Sequence, residues 1–182
     1  MRNSHGRDNV CESRGGRHPV SVTQDAPNFP IFDSNFPMLG SPALDSDGSL
    51  VYAHARFRDV PASSGIVVEL LGVTGPIAQG LVVRTTAGKL LLGDHREEAF
   101  VFWTATMPGR VEMEMTNRKP ATVVVYNTWS GREGAVVRPW AGIKIAPSEP
   151  NAWTLRCSTG VTGPDFAALT VRLTLTGGVL LP

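Results

Sequence analysis

The chain has 182 residues, a formal net charge of +1, a hydrophobic fraction of 42% and a charged fraction of 18%. That length suits one domain, or one domain with an arm, and the apolar fraction suffices for a core. The balanced charge excludes a self-repelling disordered chain and a globally basic nucleic-acid binder, and the absence of any run of about 18 apolar residues excludes a membrane-spanning helix.

Residues 1–28 are polar and aperiodic, with Arg2, Arg7, Arg14 and Arg17 offset by Asp8, Glu12 and Asp25. They are expected to form an extended arm. Residues 29–49 combine Phe29, Ile31, Phe32, Phe36, Met38 and Leu39 with repeated prolines, which cannot donate to a ladder, and so predict an irregular strap over the core. Within the strap, Asp45-Ser46-Asp47-Gly48 resembles the opening of a calcium loop. No closing Glu follows, and Asp-Gly is also an ordinary turn, so no metal is expected at Asp45 or Asp47.

From residue 50 the pattern changes to alternation with period two, the signature of half-buried strands. Residues 50–58 place Val51, Ala53, Ala55 and Phe57 inward and Tyr52, His54, Arg56 and Arg58 outward. Strands follow at 65–73, 80–86 and 89–92. The segment 99–106 contains Phe100, Val101, Phe102 and Trp103, apolar on both faces, which predicts a central strand covered on both sides. Residues 110–116 alternate strictly. Residues 121–129 are again apolar on both faces. A strand at 135–145 is bent by Pro139 and Gly142, strands at 151–158 and 166–176 follow, and residues 179–181 add a short edge.

No window carries helical spacing. About nine to ten short strands separated by turns predict an all-β chain: a single antiparallel β-sandwich, jelly-roll-like, over residues 50–182.

The chemistry-bearing residues are sparse. Trp103 and Trp153 fall on inward strand positions and are expected in the core. Trp129 and Trp140 flank the loop Ser130-Gly131-Arg132-Glu133-Gly134, so Trp129, Arg132, Arg138 and Trp140 form the expected recognition edge for a carbohydrate or protein partner. Asp94-His95-Arg96-Glu97-Glu98 clusters ionisable groups. His95 as base, with Glu97 and Glu98, is the weak catalytic candidate, and a charged turn is the simpler reading. Metal-binding, nucleophile-elbow and phosphate-loop motifs are missing, so no cofactor is expected. Cys157 reads as a buried apolar residue and Cys11 as a free thiol in the arm.

The expected function is therefore a non-catalytic recognition or assembly module. One alternative is a self-assembling shell- or coat-like subunit, a homo-oligomer whose arm touches neighbouring subunits or nucleic acid. The other is a hydrolase or lyase on the same scaffold. With no signal-like opening segment and no Asn-x-Ser/Thr acceptor, a cytoplasmic setting is expected.

Overall fold

A computed structural model describes residues 43–44, 47–130, 137–139, 142–159 and 165–176. The arm, most of the strap, the loop at 131–136, Trp140 and the expected edge at 179–181 lie outside the described residues. Among the described residues every regular element is a strand. The elements are β1 (Ala43–Leu44), β2 (Leu50–Val51), β3 (Ala55–Val60), β4 (Gly65–Val73), β5 (Ala78–Thr85), β6 (Lys89–Leu92), β7 (His95–Glu97), β8 (Ala99–Trp103), β9 (Arg110–Thr116), β10 (Ala121–Ser130), β11 (Val137–Pro139), β12 (Ile143–Glu149), β13 (Ala152–Cys157) and β14 (Leu169–Thr176).

The pairing order identifies the architecture. From β3 to β10 the chain builds one row, β3-β10-β5-β8, and a second row, β4-β9-β6-β7. Numbered one to eight along the chain, these are the orders 1-8-3-6 and 2-7-4-5, two four-stranded antiparallel sheets wound together as a jelly roll. β11 lengthens the first sheet beside the end of β10. The meander β12-β13-β14 extends the second sheet from the β4 side to seven strands.

The core fills the space between the sheets. Phe57, Leu81, Val83, Phe102, Val123 and Val125 from the first sheet meet Ile66, Val68, Val111, Met113, Met115, Leu155, Val171 and Leu173 from the second. Phe57 and Trp153 touch across this gap, ring centroids 4.9 Å apart and planes tilted 48°. The alternation of 110–116 and 169–176 appears in the burial of β9 and β14, whose Val, Met and Leu point inward while Glu, Arg and Thr point out.

Four expectations are corrected. The segment expected as a central strand, β8, pairs only with β5 and forms the rim of its sheet, so Val101 is 48% exposed. Trp103 is half-buried on the outer face of that sheet, its ring edge over Gly80, where a Cβ would sit 3.1 Å from its Cε3 atom. The expected strand at 50–58 breaks, because Ala53 and His54 bend out of the ladder. His54 is thereby turned into a buried position, and desolvation, then the charge of Arg56, pushes its pKa down to about 4. The expected strand at 135–145 is two strands in different sheets, β11 and β12, and Gly142 between them has φ of 125°.

Candidate functional site

The expected recognition edge is only partly described. Trp129 pairs in register with Gln79 on one side and Arg138 on the other, and at 4% exposure it contributes volume to the interior. Arg138 is placed by its backbone in β11. Arg132 and Trp140 lie outside the described residues.

Gln79 and Asn127 share that interior end with Trp129. Gln79 Nε2 donates to the carbonyls of Ala168 (2.6 Å) and Thr74 (3.1 Å), and Asn127 Nδ2 donates to the Ser158 carbonyl at 2.7 Å. Both amides are buried and tie one sheet to chain entering or leaving the other. They act as staples.

Asp47 accepts from the Ser49 N–H at 2.8 Å, the closing contact of a turn, and pairs with Lys144 Nζ at 2.8 Å. Lys144, then Ser49, holds the Asp47 carboxyl well below the usual carboxylate range. The Lys144 ammonium also sits 4.6 Å from the Phe166 ring centroid. Asp45 lies outside the described residues. Among the described residues no group of three or more His, Cys, Asp or Glu could surround a metal ion.

His95 and Glu97 stand fully on the outside of the short β6–β7 hairpin. Glu98, next along, is exposed and accepts from Lys89 Nζ at 3.1 Å. None of the three lines the cleft described below.

That cleft, of about 330 Å³, opens beside β8. Leu92, Phe102, Val111 and Met107 form its floor and walls, with Val101, Trp103, Thr106 and Pro108 beside them. Arg110 and Glu112 stand at its charged side. Arg110 Nε contacts Glu112 at 2.8 Å and its Nη1 contacts Glu69 at 2.9 Å, so two carboxylates fix the guanidinium and raise its pKa.

The backbone of β8 supplies the other half of the site. The Thr85 N–H donates to the Glu98 carbonyl and the Thr104 N–H to the Gln79 carbonyl, which fixes the parity of the β5–β8 ladder. In that parity the hydrogen-bonded partners are residues 98, 100, 102 and 104. The N–H and C=O groups of Ala99 and Val101 therefore point away from β5, along the open rim.

The remaining rims are blunted. β3 carries Arg56 and Arg58 and a bulge in which Arg58 and Asp59 oppose Thr122, with Asp59 at φ 52°. β7 has three residues, all polar or charged, and β12 contains Lys144, Pro147 and a register shift. β8 has no charge, proline or bulge, so it lacks the devices that keep sheet edges apart.

The sequence held a signal for this rim, a strand with nothing polar in it. The same signal reads as a central strand until the pairing order is known.

The chain matches no protein-family model, and no curated protein or solved structure matches it.

Proposed function

We propose that this chain is a non-catalytic assembly module that joins a second copy of itself along β8. The observation that carries the reading is the open rim at Ala99 and Val101, unpaired among the described residues and flanked by an apolar cleft. The edge is complementary to itself. A two-fold axis through Val101 pairs Ala99–Trp103 antiparallel with its counterpart, satisfies the exposed peptide groups and covers the Val101 side chain. The jelly-roll winding serves shell subunits and lectins alike, so the fold favours neither and the open rim carries the reading.

Light scattering after size exclusion tests it. At about 100 μM the wild type is expected at twice the 19.5 kDa monomer mass, and Val101→Lys, which adds a charge to the rim, is expected at the monomer mass. A monomeric wild type, or a Val101→Lys variant that associates as the wild type does, overturns the reading.

A second reading, carbohydrate binding, is favoured by Trp103 at the cleft beside Thr106, Arg110 and Glu112, an aromatic face with polar groups to orient a sugar ring. Its mark is glycan-array binding that Trp103→Ala abolishes and Val101→Lys retains.

A further inference from the structure

The outer faces of the two sheets differ in charge. On the seven-stranded sheet, Arg172, Glu69 and Arg110 stand side by side across β14, β4 and β9, and carboxylates answer the guanidinia. On the five-stranded sheet, Arg56 and Arg84 flank Val124 in one register row, and Arg58 lies two residues along β3.

All three of these arginines are exposed, and none forms an ion pair with a described carboxylate, Asp59 of the neighbouring bulge included. Arg118 and Lys119, exposed in the β9–β10 turn, continue the positive charge past the end of β10. Strand spacing sets Arg56 and Arg84 about 10 Å apart at the backbone, on either side of β10. Farther along the same face stands the half-buried ring of Trp103, over Gly80.

We infer that the outer face of the five-stranded sheet binds the phosphate backbone of a single-stranded nucleic acid through Arg56, Arg58 and Arg84. Guanidinia with no carboxylate partner present their donor forks to phosphate oxygens without first breaking an ion pair. An indole ring on the same face as the basic row suits unpaired bases, which stack irrespective of sequence. A sulfated polysaccharide shares the anionic chemistry but has no flat base to lay on Trp103, so single-stranded nucleic acid is the assigned partner. The basic row lies on β3 and β5, so phosphate binding there does not depend on self-association along β8.

Fluorescence anisotropy with the full chain and a labelled oligothymidylate or oligouridylate of about 20 nucleotides tests the assignment, in salt from about 50 to about 200 mM. The variant Arg56→Ala/Arg58→Ala/Arg84→Ala is expected to bind at least about tenfold more weakly, with a log–log salt slope shallower by about 2, three contacts at about 0.7 each. Arg156→Ala, on the other sheet, is expected to bind as the wild type does. The triple Arg→Lys variant, which keeps the charge, is expected to retain most of the slope and so separates lost charge from lost fold.

Four outcomes overturn the inference: a wild type that binds neither oligonucleotide; an Ala triple that binds as the wild type does; binding removed by substituting Arg2, Arg7, Arg14 and Arg17 but not the sheet arginines; or binding of a heparin fragment with none of either oligonucleotide.

Discussion

The side-chain amide of Asn127, on β10, donates to the main-chain carbonyl of Ser158, just beyond β13, at 2.7 Å, and so bonds one sheet to the other through the interior. Asn127 is 1% exposed and Ser158 is fully buried. Removing the amide takes one donor from that carbonyl at a buried position. Asn127→Ala is expected to destabilise the fold by about 1–3 kcal/mol, seen as a lower urea midpoint with an unchanged m-value.

Protonation of His54 opposes folding. Its pKa is about 4 in the folded chain against an ordinary 6.5, so below 6.5 the unfolded chain binds more protons than the native one. Stability is therefore expected to be highest above pH 6.5 and to fall as the pH drops toward 4, by on the order of 2 kcal/mol from this residue. Denaturation midpoints across that range should follow this slope, and His54→Gln should flatten it.

Proline substitution reads the β8 rim directly. The Val101 N–H points to the open side, so Val101→Pro removes no ladder bond and is expected to cost at most about 1 kcal/mol. Val82, its register partner on β5, is buried, and by the same parity its N–H points to β10. Val82→Pro is expected to cost about 3 kcal/mol or more. Thermal melting of the two variants side by side gives the comparison, and equal losses would refute the parity argument.

Cys157 is wholly buried, and burial drives its thiol pKa upward. In a Cys11→Ser background the native protein is expected not to react with a thiol reagent. Labelling should appear only at the rate of global unfolding and accelerate with denaturant.

The Asp47–Lys144 pair joins the strap to β12 with Asp47 exposed, so its contribution is modest. Lys144→Met is expected to lower the urea midpoint only slightly. Millimolar calcium is expected to leave the melting temperature unchanged, because the Asp47 carboxylate is already engaged by Ser49 and Lys144.

Burial patterns were legible in the sequence wherever the alternation was strict. Val111, Met113 and Met115, and Leu169, Val171, Leu173 and Leu175, are buried as period two demands. Residues 121–129, apolar on both faces, do mark the centre of a sheet, since β10 is paired along both sides. Residues 99–103 carry the same composition and lie at a rim. Apolarity reports burial or an uncovered edge equally, and only the neighbours of a strand separate the two. The break at Ala53-His54 escaped for another reason: a bend hides His54 without changing the sequence pattern around it. The basic face escaped because Arg56 and Arg84 are 28 residues apart and meet only through β10.

The pairing of β14 with β4 has a consequence for synthesis. Gly65 and Thr176 are register partners 111 residues apart, so one edge of β4 waits through the synthesis of every strand from β5 to β13 before it finds its neighbour. Until then β4 can pair only with β9, and its other side stands open beside the ribosome. Closing so long a loop late makes folding slow for a chain of this size, and it sets the interval during which a nascent copy is most prone to pair with another. The meander β12-β13-β14 thus acts as the closing clasp of the fold, and a chain that stops short of it leaves β4 uncapped.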